Sequence, residues 1–136
     1  MAKCELCSIC KNDSYRVVSE NNSCFACVNI EPLLNSHLMI IPKRHVTKLG
    51  QLTKEEAKEM FSLLGKISEI LKNKFKTKGT LTMINDHELR SQEHIHFHII
   101  ASNHNLRDFV SNLLKTPYRK RLEKTEIENI AKSIIK

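Results

Sequence analysis

The chain has no tryptophan, two tyrosines and five phenylalanines in its 136 residues. Proteins that hold single-stranded nucleic acid stack bases on aromatic side chains set among basic ones. That alternation is missing, so a dedicated nucleic-acid surface is not favoured. No run of about 18 apolar residues occurs, so no spanning helix and no membrane partner are expected. Met1-Ala2-Lys3-Cys4 carries no apolar leader, which leads us to expect a cytoplasmic protein. Internal repeats, low-complexity tracts and interdomain linkers are also missing. With 136 residues, one domain with a real core is expected rather than two.

What is present is charge, cysteine and histidine. Lysine and arginine total 22 against 15 acids, a formal charge of +7. Much of it lies in Lys72, Lys74, Lys76 and Lys78 and in Lys115, Arg119, Lys120, Arg121 and Lys124. Two readings stand open, a solvated basic surface and a field that attracts phosphate. The five cysteines, Cys4, Cys7, Cys10, Cys24 and Cys27, all lie near the start of the chain. With no secretory signal, a disulfide framework is not expected.

Apolar patterning predicts an α+β domain with about five antiparallel strands, one long helix and a helical C-terminal extension. Residues 1–12 read as a cysteine-rich lead-in. Strands are expected over 15–20 and 23–30, joined by a turn at Asn21-Asn22, because asparagine tolerates positive φ. A third strand, 37–42, closes on Pro42. Thr53 and Glu56 form a capping box. The helix they open should run to about Lys74, with Ala57, Met60, Phe61, Leu64, Ile67, Leu71 and Phe75 as its apolar stripe. Strands follow over 80–85 and 94–101. Leu106 to Lys115 reads as a short helix. A second box, Thr125 with Glu128, opens a last helix with Ile127, Ile130, Ala131 and Ile134 on one face.

The Cys4-x-x-Cys7 spacing lets one turn bring two sulfurs to a metal. His45, just past a strand end, and His94 complete a closed tetrahedral set for structural Zn²⁺. Cys7 with Cys10 is the competing pair. Cys24 and Cys27 have the same spacing, but on a strand they face opposite sides and read as core residues.

His94-Ile95-His96-Phe97-His98 places three imidazoles at alternate positions, on one face of an extended strand. Imidazole serves as ligand, nucleophile or proton carrier near neutral pH. A histidine nucleophile must be neutral, with one nitrogen free and the other donating to a fixed acceptor. His96, central and flanked by Ile95 and Phe97, is best placed for that role. His98 can donate to a phosphate oxygen or a leaving group, and Ser91 can reach the leaving group. Asn85-Asp86 either binds a ribose hydroxyl or phosphate, or makes a turn. His37, His87 and His104 read as ordinary polar positions.

These residues resemble the histidine triad (HIT) superfamily. His94-Ile95-His96-Phe97-His98-Ile99-Ile100 is similar to its His-φ-His-φ-His-φ-φ motif, φ being apolar. Residues 29–45 resemble its strand–loop–strand segment, and Cys4-Glu5-Leu6-Cys7 its N-terminal pair. The likeness covers roughly residues 4–101, leaving 105–136 as a basic helical extension of a single domain. It implies a homodimer and a purine nucleotide substrate. The implied reaction is attack by His96 on an α-phosphorus through a nucleotidyl-histidine intermediate. His98 falls on the phosphate-contacting position and Ser91 on the leaving-group serine. Cys4, Cys7, His45 and His94 fall on the zinc ligands, and Asn85 on the asparagine that ends the preceding strand. Asn29 stands where the family has an acidic ribose contact. Leu89-Arg90 stands where Gly-Gln often precedes the serine, and Arg90 then takes the phosphate contact. The expected activity is hydrolysis or nucleotidyl transfer on a nucleoside phosphoramidate, an acyl-nucleotide or a dinucleoside polyphosphate. The alternative is a zinc-stabilised nucleotide- or nucleic-acid-binding module with little turnover.

Overall fold

The computed structural model describes residues 4–89, 92–113 and 121–135. Arg90 and Ser91, two of the expected site residues, lie outside the described residues. Continuous apolar runs form the centre of the sheet. β2 (Cys24–Val28) and β3 (Leu38–Pro42) are buried along their whole length. β1 (Val17–Glu20) lies outside β2, while β5 (Phe97–Ser102) and β4 (Gly79–Ile84) continue beyond β3. All pairings are antiparallel, in the order β1-β2-β3-β5-β4. No helix among the described residues is long and apolar enough to cross a membrane.

One face of this sheet takes the principal helix, α2 (Lys54–Phe75). The Thr53 hydroxyl accepts from the Glu56 N–H at 3.1 Å, and the Glu56 carboxylate accepts from the Thr53 N–H at 2.9 Å. Both expected halves of the box therefore form. Met60, Leu63, Leu64, Ile67 and Leu71 pack on Cys24, Ala26, Val28, Leu38, Ile40, Phe97, Ile99 and Ala101. The stripe differs at Phe61, which is 65% exposed and touches Phe97 only edge-on; Leu63 is buried in its place. α4 (Lys124–Ile135) adds Ile127, Ala131 and Ile134 to the same core. Its cap lies two residues earlier than expected. Glu126 accepts from the Glu123 N–H, and Thr125 is inside the helix.

The other face takes α1 (Glu5–Asn12), a helix where the sequence suggested only a lead-in. Leu6 and Ile9 seat it on Phe25, Cys27, Met39 and Ile41. Cys24 and Cys27 thus face opposite sides, as their spacing on a strand requires. Both are fully buried, and burial pushes their thiols up to about 11 and about 12. α3 (Leu106–Leu113) follows β5.

β5 begins at Phe97, three residues later than expected. The preceding stretch leaves the ladder because its backbone is used elsewhere. Ile95 N–H donates to the Val46 carbonyl at 2.7 Å, and the His94 carbonyl accepts from the His96 ring.

Candidate functional site

Cys4 and Cys7 sit at the start of α1, His45 just past β3, and His94 on the approach to β5. The fold brings these four together, with all four ligand atoms within 4.8 Å of one another. Cys7 Sγ lies 3.2 Å from His45 Nδ1 and 3.3 Å from His94 Nδ1, and Cys4 Sγ lies 3.4 Å from His94 Nδ1. A tetrahedral ion with ordinary metal–sulfur and metal–nitrogen lengths needs sulfur–nitrogen edges of about 3.5 Å. His94 is fully buried, and its Nε2–H donates to the Pro42 carbonyl at 2.8 Å. That bond fixes the tautomer and turns the Nδ1 lone pair toward the sulfurs. Burial and the adjacent Cys4 push the Cys7 thiol up to about 11. A cation would favour the thiolate instead. These residues can hold a metal ion. Cys10, the competing ligand, packs beside the Leu6–Ile9 cluster instead.

His96 and His98 follow on the same face, with ring centroids 4.8 Å apart. His96 is buried, and its Nδ1–H donates to the His94 carbonyl at 2.9 Å. Its Nε2 therefore carries the lone pair. Burial holds its pKa below the usual imidazole range, which keeps the ring neutral and nucleophilic. Burial does the same to His94.

His37, read from sequence as an ordinary polar position, is fully buried against His98. Its Nδ1 accepts from the Leu33 N–H at 3.0 Å, so its proton is on Nε2. That nitrogen lies 2.8 Å from His98 Nδ1 and donates to it. The hydrogen of His98 is thereby placed on its own Nε2. The available signal was the pairing of Leu38 with Ile99 and Met39 with His98, which sequence alone does not give.

A cleft of about 160 Å³ opens beside these rings. His96, His98, Asn29, Arg16, Gln92 and Met39 line it, together with Leu6, Ile30 and Glu31. Asn29 is buried there, and its Oδ1 accepts from the Glu31 N–H at 2.8 Å. Arg121, from the C-terminal segment, also reaches the cleft and lies 3.4 Å from Glu31. Asn85 is exposed and outside this lining, while Asp86 caps a turn by accepting from the His87 and Leu49 N–H groups. His87 and His104 are exposed. Arg16 and Arg121 were not picked out as site residues from sequence, because each reaches the cleft through tertiary packing.

Residues 11–105 match the family model described as HIT domain. A bis(5'-adenosyl)-triphosphatase of Dictyostelium discoideum is 37% identical over 78 residues, which is 56% of this chain and 52% of that protein. The chain thus spans about half the length of that relative. An adenosine 5'-monophosphoramidase of Candida albicans is 27% identical, covering 73% of this chain and 70% of its own. A crystal structure of a hypothetical histidine triad nucleotide-binding protein from Sulfolobus tokodaii superposes with a TM-score of 0.78 at 25% identity. It covers 97% of this chain and 89% of that one.

Proposed function

The chain belongs to the HIT domain family, and from that premise we propose that it is a nucleotide hydrolase or nucleotidyl transferase working through His96. The observation that carries this reading is the His96 Nδ1–H bond to the His94 carbonyl, which leaves Nε2 as the attacking atom beside the cleft. The Nε2 lone pair forms a bond to the α-phosphorus while the bond from phosphorus to the leaving group breaks. The leaving group departs with the electron pair and takes up a proton. Water then attacks the nucleotidyl-histidine and releases the monophosphate, or an acceptor hydroxyl takes its place. His98, with its hydrogen set by His37, donates to a phosphoryl oxygen or the leaving atom. Asn29 contacts the ribose through neutral hydrogen bonds. By resemblance, Ser91 meets the leaving group and Arg90 a phosphate.

The substrate class we infer is a purine nucleotide joined to a good leaving group: a dinucleoside polyphosphate, an acyl-nucleotide or a phosphoramidate. The activities named for the two relatives support that class. The two thiols and two imidazoles suit Zn²⁺ in a closed, structural site. Bound there, Zn²⁺ would supply a cross-link tying α1 to the loop after β3 and to the approach to β5. Thiolate ligands need a reducing compartment, which fits a cytoplasmic protein. The whole chain is read as one domain, because α4 shares the core of the sheet. A homodimer is also inferred. The exposed Phe61 and the open outer edge of β4 are features a second copy would cover.

The test is incubation with a labelled adenylyl phosphoramidate and acid-sensitive capture of the adduct. Wild-type protein should carry label and His96→Ala none. Undiminished label on that variant would reject the mechanism. Nucleotide binding with neither adduct nor turnover would favour the binding-module alternative.

A further inference from the structure

Arg16 is a charged side chain only 6% exposed, and among the described residues no carboxylate pairs with it. Its Nε and Nη2 both donate to the Val28 carbonyl, at 3.2 and 3.0 Å. That uses one edge of the guanidinium and leaves the end-on fork of Nη1 and Nη2. The side chain also lines the cleft that His96 and His98 line. A buried cation with donors turned to a cleft is costly unless something accepts from it.

The sheet order says where along a ligand that acceptor lies. Arg16 directly precedes β1, and the histidines lie on and just before β5, three strand spacings away. At about 4.8 Å per spacing the separation is roughly 14 Å. Asn29, at the end of β2, falls between them. A nucleotide with its phosphorus at His96 and its sugar near Asn29 has only its base left to reach the Arg16 end. Leu6 and Ile30 supply apolar surface to the same cleft.

We propose that Arg16 is a base-specificity residue, its free fork donating to the O6 and N7 acceptors of a 6-oxopurine, so that the site prefers guanine and hypoxanthine nucleotides to adenine ones. Adenine offers N7 but presents an amino donor at position 6, which opposes a second arginine donor. Glu31 lines the same cleft and supplies an acceptor for the N1–H that 6-oxopurines have and adenine lacks. The proposal rests on the nucleotide reading above and adds the base to it.

The experiment is calorimetric titration of the full chain with GMP, IMP, AMP and 7-deaza-GMP at one ionic strength. GMP and IMP should bind about tenfold more tightly than AMP, and 7-deaza-GMP several-fold more weakly than GMP. Arg16→Met should bring all four to the AMP level, while Arg16→Lys should retain part of the difference. Equal binding of GMP, IMP and AMP by the wild type would overturn the inference and leave the nucleotide reading standing. An unchanged preference in Arg16→Met, or no penalty for 7-deaza-GMP, would also overturn it. The 7-deaza comparison needs no variant and decides the matter even where Arg16→Met does not fold. Competition by inorganic phosphate with no base preference would assign Arg16 to a phosphate instead. Failure of every nucleotide to bind would remove the functional reading and this inference together.

Discussion

On one face of the sheet, α2 and α4 cover eight strand residues, Cys24, Ala26, Val28, Leu38, Ile40, Phe97, Ile99 and Ala101, with a continuous apolar layer. On the other, Leu6 and Ile9 of α1 meet Phe25, Cys27, Met39 and Ile41, with the half-buried Cys4, Cys10 and Val17 around them. The thin face is also where Cys4 and Cys7, the five imidazoles of His37, His45, His94, His96 and His98, and the cleft lie. Apolar burial stabilises in proportion to area, about 25 cal/mol per Å². The first face therefore carries most of the stability, and the second can spend its positions on polar chemistry. A metal cross-link is of most use where apolar packing is least.

That contrast can be broken or sharpened by measurement. His96→Ala should lower turnover by about 10⁴-fold or more with the denaturation midpoint little changed, measured by steady-state kinetics beside urea unfolding. Ile67→Ala, on the opposite face, should do the reverse. It costs about 3 kcal/mol of stability while the rate of the remaining folded protein is retained. A large rate loss there would mean the two faces are not separable. Chelation, or Cys7→Ser, should remove hydrogen-exchange protection from α1 and spare the amides of α2. Uniform loss over both faces would break the comparison.

The smallest effect expected is at the entry to α2. The Arg44 guanidinium, whose Nε and Nη2 donate to it at 2.9 and 2.7 Å, holds the Glu56 carboxyl down at about 2. A carboxyl with a depressed folded-state pKa stabilises above its unfolded value of about 4.3. That contribution is lost as pH falls from about 5 toward 2. Glu56→Gln should flatten the stability profile in that window, read by thermal melts against pH, and leave the Cys4–Cys7–His45–His94 cluster untouched.

The thick face was largely legible in the sequence, because its signals are local and periodic. The Thr53–Glu56 box, the three- and four-residue steps to Leu71, and the unbroken apolar runs of β2 and β3 each declare an element without knowledge of its neighbours. Phe61 departs from the stripe because periodicity marks a stripe and not its width. The thin face was legible where spacing encodes chemistry, in Cys4, Cys7 and the alternating histidines. It was obscure where packing decides. α1 is eight residues long, with three of its flanking and internal positions cysteine, and it is held by Leu6 and Ile9 reaching the sheet. His37 is 61 residues from the ring it orients. The late start of β5 follows from backbone bonds to Val46 and to a side chain, which no pattern of apolar residues reveals.

The match to the family model stops at residue 105, yet Leu122 N–H donates to the Ile30 carbonyl and the apolar side of α4 closes over β1 and β2. Trimming a clone to the matched segment would strip that cover from β1 and from the end of β2. Such a fragment should come out of the cell as inclusion bodies. Domain borders drawn by ancestry and borders drawn by packing do not coincide in this molecule.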